Sequence, residues 1–246
     1  MIRHARQRRR AAFTLIELLT AMAIIGIASA LLVPVLARAK KQVRSLQCKT
    51  SQRSIALAAR MFAHDNDHAI VPHSILQTPP RSAVIPNLHV TFWPDLLRPY
   101  VSSPKVYECP ACPAHGRRPG GRVAIGLSLG LFGPYIARPE GPFTPTALVA
   151  KPSSTLFFGD ADYLDPATAS QPHANYWKAN LAHPGGTWSL RVPLDGDYDR
   201  IPTRLLNRHQ GRANVAFFDG HVASLKAGSI GFHLPYGHYN NRWDLR

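Results

Sequence analysis

The sequence predicts an α+β fold in which one long N-terminal helix packs on a small antiparallel sheet. Three observations predict it: an uncharged apolar run near the N-terminus, a proline-rich middle and short β-favouring runs near the C-terminus. The chain has 246 residues, 45% of them hydrophobic, so it can bury a core and is not wholly disordered. Its net charge of +15 suits a nucleic acid, an anionic membrane or an acidic polymer as a partner.

The N-terminus combines a basic leader with an apolar run of membrane length. Residues 1–12 carry five Arg and no acid, and residues 18–37 form a run of 20 residues without charge. A helix of this length spans about 30 Å, which is the thickness of the hydrocarbon core of a bilayer. The run therefore predicts one membrane span. The basic leader favours a cytoplasmic N-terminus, although five more positive charges lie between residues 38 and 49.

Residues 12–17 resemble the processing signature of type IV prepilins and of the pseudopilins of type II secretion. The matching features are the basic leader, Ala12 before Phe13, the run Thr-Leu-Ile-Glu ending at Glu17, and Pro34 within the apolar segment. In that family a membrane peptidase cuts before the aromatic residue and methylates the new amino terminus; the family usually has Gly where this chain has Ala12. The resemblance implies processing between Ala12 and Phe13, and the alternative is an uncleaved single-pass anchor.

The resemblance also implies that Glu17 serves assembly. A carboxylate at the edge of an apolar span costs about 2 to 3 kcal/mol unless it is paired or solvated. In the family the matching Glu neutralises the amino terminus of a neighbouring subunit, which would here be the amine of Phe13; the alternative is a carboxylate that snorkels to the interface. Pro34 removes a helical hydrogen bond, so we expect a kink or local melting when subunits pack.

Beyond the apolar run the helix is expected to continue to about residue 62, with a buried stripe on one face. The stripe consists of Cys48, Ile55, Ala59 and Phe62, flanked by Leu57 and Met61, whereas Arg44, Gln52 and Arg60 are expected to face water. Turn-forming residues 65–67 end the helix. The predicted organisation is a leader (1–12), a helix (13–64) with a membrane segment at about 18–37, and a globular domain (65–246).

The rest of the chain predicts loops followed by strands. Residues 72–152 hold 15 of the 22 prolines, which excludes long helices there. The runs 155–158, 214–218 and 221–225 favour strands. Asp219-Gly220 between the last two predicts a hairpin with a type I′ turn, in which both central residues have positive φ.

Residues 208–222 resemble a C-terminal signature found in a large group of prepilin-type proteins. In that group a His precedes Asp-Gly by nine intervening residues, and His209 and Asp219-Gly220 have this spacing here. Residues 48–72 and 107–110 also resemble the group's pattern. The resemblance implies a loop-rich, pilin-like fold, and we interpret the His-to-Asp-Gly element as a structural turn.

Three cysteines leave several pairings open. In an oxidising compartment Cys48 could bridge to Cys109 or Cys112, which would close a loop of about 60 residues. A local bridge between Cys109 and Cys112 and reduced buried thiols are the alternatives. Zinc binding by these cysteines with His115 is a further alternative, but one Cys-x-x-Cys is a weak zinc signal. We predict no bound metal.

Two sets of residues that contain several carboxylates could bind metal ions. Asp195, Asp197 and Asp199 are spaced as at the start of a calcium loop, but Arg200 and Leu206 stand where an EF-hand needs Gly and Glu. A solvated turn is therefore favoured over an irregular calcium site. A hydrolytic metal site would require the following side chains to converge: Asp160, Asp162, His209, Asp219 and His221. The sequence has no phosphate loop, nucleophile elbow or His-Glu-x-x-His motif, so we predict a non-enzymatic protein without a cofactor.

The predicted function is structural. The resemblance implies a subunit of a type II secretion pseudopilus or a type IV pilus-like filament, inserted once in the inner membrane with its C-terminal domain in the periplasm. The implied partners are a prepilin peptidase, like subunits, the assembly platform and the inner membrane, and nucleic acid is not expected. The alternative is a pilin-like surface protein that binds DNA or acidic glycan. Its basic patches would be formed by Arg117, Arg118, Arg122, Arg200, Arg204, Arg208 and Arg212.

Overall fold

A computed structural model describes residues 14–76, 90–112, 124–129, 136–139, 141–180 and 186–245. It divides into two compact units, Met1–Lys40 and Lys41–Arg246. The α-helices of the described residues are α1 (Leu15–Asp65), α2 (Trp93–Leu96) and α3 (Pro166–Ala169). The strands are β1 (Ser74–Leu76), β2 (Val90–Phe92), β3 (Ile125–Leu129), β4 (Leu156–Tyr163), β5 (Ser189–Arg191), β6 (Thr203–Leu205), β7 (Ala213–Phe217) and β8 (Val222–Leu225).

The long helix α1 extends over 51 residues and continues through Pro34. All four residues of the predicted stripe on its second half are buried, which confirms the periodicity argument. The helix ends at Asp65, where the Asn66 side chain donates to the carbonyl of Phe62 at 2.7 Å. Asp67 and His68 follow with positive φ, so the chain turns away from the helix at the predicted place.

Gln52 was expected to face water, and this expectation is wrong. Its side chain is fully buried, four residues after Cys48 and therefore on the same face of α1. The amide nitrogen donates to the Asp160 carboxylate at 3.2 Å and to the Asn214 carbonyl at 3.0 Å. Hydrogen bonds to these partners on the sheet thus stabilise a polar residue in the interface between α1 and the sheet.

The main sheet confirms the predicted α+β class. Its strand order is β5-β3-β4-β7-β8, with β6 pairing with β4. All of these pairs are antiparallel except β3 and β5, which run parallel. Gly126 on β3 permits the close approach of β5, because a Cβ atom there would lie 2.8 Å from the carbonyl carbon of Ser189.

One core joins the second half of α1 to the sheet. The central strand β4 has seven of its eight residues buried, and Phe158 on it packs against Trp93 of α2 with ring centroids 5.1 Å apart. Ile55 and Phe62 of α1 belong to the same cluster. In the described part of residues 72–152 the helices are short, as the prolines predicted, and β1 and β2 form a separate two-stranded sheet.

The predicted hairpin forms between β7 and β8, but its turn differs from the prediction. The loop has three residues, 218–220, and the amide of Gly220 donates to the carbonyl of Phe217 at 2.9 Å. Only Gly220 within this loop has positive φ, at 92°. The arrangement is a type I turn followed by a left-handed glycine, so Asp219 needs no positive φ.

Candidate functional site

The first turn of α1 contains Glu17, the residue predicted to serve assembly. The backbone amide and the hydroxyl of Thr14 donate to the Glu17 carboxylate at 2.9 and 2.7 Å. The amide of Glu17 in turn donates to the Thr14 hydroxyl at 3.3 Å. This reciprocal arrangement is a capping box, which satisfies donors that a helix start leaves free. The predicted processing site, Ala12 and Phe13, lies outside the described residues.

The first half of α1 has the length and composition of a membrane span. An 18-residue window of the helix is apolar, and none of it is buried. Every large apolar side chain between Leu15 and Leu36 is more than half exposed. A contiguous apolar surface of this kind needs lipid or like helices to cover it. The segment therefore fits a membrane anchor.

Four side chains that can bind metal ions converge beneath the second half of α1. They are Cys48 on α1, Cys109 in the loop before β3, Asp160 on β4 and His209 before β7, and all four are buried. Their ligand atoms all lie within 4.8 Å of one another. The Cys48 thiol donates to Asp160 at 3.0 Å, and His209 Nε2 lies 3.2 Å from the Asp160 carboxylate. The same Nε2 lies 3.4 Å from Cys109 Sγ.

The cysteines are free thiols in the structure. Cys48 and Cys109 are neighbours, as one of the predicted pairings requires, whereas Cys112 is buried outside the four-residue group. His115, the fourth residue of the zinc alternative drawn from the sequence, lies outside the described residues. The pairing of the cysteines stays a prediction.

Two residues that the sequence did not single out hold the Asp160 carboxylate. The backbone amide of Asn214 on β7 donates to Oδ2 at 2.7 Å, and the Gln52 amide donates to Oδ1 at 3.2 Å. The Asn214 side chain reaches back to Ser45 on α1, donating to its carbonyl at 3.1 Å. The spacing of four residues between Cys48 and Gln52 could have indicated that Gln52 lies on the buried face of α1. No pattern in the sequence indicated a role for Asn214.

Burial and close contacts shift the pKa values within this cluster. A hydrogen bond between the two thiols raises the pKa of Cys48 and lowers the pKa of Cys109, and His209 lowers the latter further. Burial lowers the pKa of His209, but hydrogen bonds to Asp160 and Cys109 outweigh burial and raise this pKa to about 9. These shifts favour the thiolate form of Cys109 and the protonated form of His209.

Asp162 and its partner form a separate buried ion pair. Arg208 Nη2 lies 2.9 Å from Asp162 Oδ2, and both side chains are only 4% exposed. The guanidinium also donates to the carbonyls of Ala124 at 3.0 Å and Ala161 at 2.8 Å. The pKa of Arg208 is raised because neighbouring thiols and carboxylates outweigh its burial. The Asp162 carboxylate is therefore neutralised by the Arg208 guanidinium and is not part of the four-residue cluster.

The hydrolytic metal site considered from the sequence does not form. Asp160 and His209 meet, but Asp219 and His221 lie at the opposite end of β7. There the His221 ring contacts the Asp219 carboxylate at 2.6 Å, and Arg60 of α1 donates to the Asp219 carbonyl at 3.2 Å. The two parts of the His-to-Asp-Gly element thus lie at opposite ends of β7, with His209 beside Cys109 and Asp160 and with Asp219 in contact with α1.

The carboxylates of the calcium alternative are each engaged by an arginine. Asp195 pairs with Arg191 and Asp197 with Arg200 at 2.8 Å. Asp199 lies 3.1 Å from the guanidinium of a buried arginine on β6. Arg191 also lies 3.8 Å from Asp197, so arginines engage all three carboxylates, which favours the interpretation as an acidic turn.

Two members of the arginine series near the C-terminus, Arg204 and Arg208, have buried side chains, so the series does not form one continuous exposed patch for DNA or glycan; Arg200 and Arg212 are exposed. Arg204 is 3% exposed, with its guanidinium 3.7 Å from the centre of the Tyr198 ring, and Arg208 is buried as described above. Arg212 donates to the Ser224 carbonyl at 3.3 Å. Arg117, Arg118 and Arg122 lie outside the described residues.

Comparison with known families gives one match, which covers the N-terminal segment. Residues 7–33 match the family model described as the prokaryotic N-terminal methylation motif. The matched segment includes the predicted cleavage site, Glu17 and most of the apolar run. Searches of curated proteins and of solved structures give no match. The methylation motif and the long apolar helix together support a chain of pilin or pseudopilin type.

Proposed function

We propose that this chain is a structural subunit of a type II secretion pseudopilus or a type IV pilus-like filament, anchored in the inner membrane. The observation that carries the proposal is a methylation motif at residues 7–33 that includes most of the exposed apolar half of α1. No enzymatic activity is assigned; the chain acts by assembling. Its partners are a prepilin peptidase, like subunits and the assembly platform.

Processing prepares the subunit for assembly. Cleavage between Ala12 and Phe13 removes five arginines and leaves a methylated amine four residues before Glu17. In the membrane this amine faces the carboxylate of a neighbouring subunit, and each charge is costly unless the other is near. Apolar helices then pack together as they leave the lipid, and Pro34 provides a point at which the helix can bend.

The proposed orientation places the N-terminus in the cytoplasm and the unit Lys41–Arg246 in the periplasm. The basic leader supports it, because arginines before a span stay on the cytoplasmic side. The lysines and arginines after residue 37 oppose it. The orientation therefore rests chiefly on the resemblance of the processing motif to that of the prepilin family, in which the apolar run after the cut serves as the membrane anchor.

The decisive experiment determines the N-terminal residue and mass of the protein extracted from its native membrane. We expect a chain that starts at Phe13 and carries one extra methyl group. The matched control is the same chain expressed without a prepilin peptidase, which should start at Met1. A native protein that still starts at Met1 would contradict the proposal and leave an uncleaved anchor.

A further inference from the structure

We propose that Cys48, Cys109, Asp160 and His209 bind a structural zinc ion that ties α1 to the sheet. The proposal concerns the unit Lys41–Arg246 and does not depend on the filament function. It gives His209 of the His-to-Asp-Gly element a chemical role that Asp219 and Gly220 do not share.

The donor set matches the ligand preferences of zinc. Zn²⁺ in proteins is bound by cysteine thiolates, histidine nitrogens and carboxylate oxygens, and structural sites have four protein ligands. The cluster supplies two sulfurs, one nitrogen and one oxygen, all from buried side chains. Calcium and magnesium prefer oxygen ligands throughout, so two sulfurs argue against them. Four protein ligands also leave no open position, which favours a structural site over a catalytic one.

The distances between the ligand atoms are close to those that a tetrahedral site needs. With Zn–S near 2.3 Å and Zn–N and Zn–O near 2.1 Å, ligand atoms of different elements lie about 3.4 to 3.6 Å apart. The observed separations are 3.4 Å between Cys109 Sγ and His209 Nε2, 3.2 Å between His209 Nε2 and Asp160 Oδ2, and 3.0 Å between Cys48 Sγ and Asp160 Oδ1. The last two distances end at different oxygens of Asp160, and one of these oxygens would serve as the ligand. Expansion by a few tenths of an ångström would admit the ion.

Neighbouring residues supply the support that metal ligands usually receive. Asn214 and Gln52 donate to the two oxygens of Asp160 and so fix its orientation. Cys48 and Gln52 come from α1, whereas Asp160 and Asn214 come from β4 and β7. A metal ion at the centre would therefore cross-link α1, β4, the loop that carries Cys109 and the segment before β7 that carries His209.

Metal binding satisfies contacts that the side chains alone satisfy poorly. His209 Nε2 faces both Cys109 and Asp160, yet a ring nitrogen can donate only one hydrogen. As a zinc ligand the nitrogen would instead give its lone pair to the ion between them. The Cys48 thiol proton and any other proton on the donor atoms would pass to solvent as the ion binds.

A disulfide between Cys48 and Cys109 is the competing arrangement. It would remove the proton that Cys48 gives to Asp160, leaving a fully buried carboxylate oxygen 3.0 Å from an uncharged sulfur with only the Gln52 bond. Burying a carboxylate with fewer donors is costly. Zinc keeps every one of the four groups engaged, and for this reason we favour it.

The first test uses the full-length protein in detergent, purified with a thiol reductant and without chelators. We expect one zinc per chain by elemental mass spectrometry. Exchange with Co²⁺ should give the visible and near-ultraviolet absorption of a tetrahedral cobalt–thiolate site. Removing the metal should lower the Tm by about 5 to 10 °C, the shift expected for a ligand present at roughly 100 times its dissociation constant.

Matched variants identify the ligands. Cys48→Ser and Cys109→Ser should lose the cobalt–thiolate absorption and most of the bound zinc, and His209→Ala should lose the zinc. Cys112→Ser is the control, because Cys112 is buried nearby but outside the ligand group, and it should keep one zinc. Loss of zinc in Cys112→Ser with retention in Cys109→Ser would overturn this ligand set.

The wild-type protein decides the question even if variants fail to fold. Absence of zinc and of a cobalt–thiolate spectrum after reconstitution would overturn the proposal. Thiol titration of the denatured, unreduced wild type provides the second readout. One free thiol per chain and no metal would establish a disulfide in place of the zinc site.

Discussion

The two halves of α1 are apolar in different ways. From Leu15 to Leu36 the large apolar side chains are exposed on all sides, whereas after Lys41 the buried residues lie on one face. A helix that is apolar all round needs an apolar surrounding, and a helix with one apolar stripe needs a protein core. The first half of this continuous helix is therefore suited to packing against lipid or like helices. The second half is suited to packing against the sheet of its own chain.

The largest predicted effect tests the first half. Glu17→Gln should abolish filament formation, because it removes the charge that neutralises a neighbour's amino terminus. Gln can replace Glu in a capping box, so the helix start should be kept. The measurement is the amount of filament sheared from cells, normalised to the amount of subunit in the membrane.

Thr14→Ala is the matched control for this prediction. It removes the cap hydroxyl and leaves the carboxylate, at a cost of about 1 kcal/mol to the helix start. We expect filaments to persist in this variant. Equal filament yields for Glu17→Gln and wild type would show that the carboxylate serves only the helix cap.

The next effect tests the second half, where burial decides stability. Ile55→Ala should lower the free energy of unfolding by about 2 to 5 kcal/mol, because Ile55 is fully buried and its truncation leaves a cavity. Leu57→Ala, two residues away, changes a side chain that is 59% exposed and should cost under about 1 kcal/mol. Denaturant unfolding in detergent, followed by tryptophan fluorescence, measures both. Similar losses for the two variants would contradict the assigned helix face.

A smaller effect is expected when a buried polar side chain, rather than a buried apolar one, is removed from the same face of α1. Gln52→Ala should destabilise the protein by about 1 to 3 kcal/mol, because Asp160 loses a donor in a site without water access. Gln47→Ala, on the exposed side of α1, should have almost no effect. The same unfolding measurement compares them. A neutral Gln52→Ala would mean that the buried amide contributes no net stabilisation.

The two halves of α1 also show which structural features can be predicted from the sequence. The membrane segment, the buried stripe and the β7–β8 hairpin follow from local periodicity and turn chemistry, which depend on residues close in sequence. The parallel pairing of β3 and β5 was not predicted, because it depends on a close approach at Gly126 between distant segments. Gln52 was misplaced because a polar residue on a helix is expected to face water unless its partner is known.

The metal-ligand cluster shows the same limit more sharply. Its members were each noticed, but in different hypotheses: Cys48 and Cys109 in a disulfide or in a zinc site with Cys112 and His115, and Asp160 and His209 in a hydrolytic site. Cys48 and Asp160 lie 112 positions apart, and Cys109 and His209 lie 100 apart. Spacing rules apply within one element or loop, so only the tertiary structure could join the two pairs.

The smallest predicted effect concerns the turn that contacts the second half of α1. Gly220 has φ of 92°, so Gly220→Ala should cost about 1 to 2 kcal/mol of unfolding free energy through backbone strain. A Cβ there would meet Arg60 no closer than 3.8 Å, so steric overlap adds nothing to that cost. Gly196→Ala, in a turn with open space and no positive φ, is the control and should change stability by less than about 0.5 kcal/mol. Filament yield should be unchanged in both, because the first half of α1 is untouched; a loss of filaments in Gly220→Ala alone would show that this turn also serves assembly.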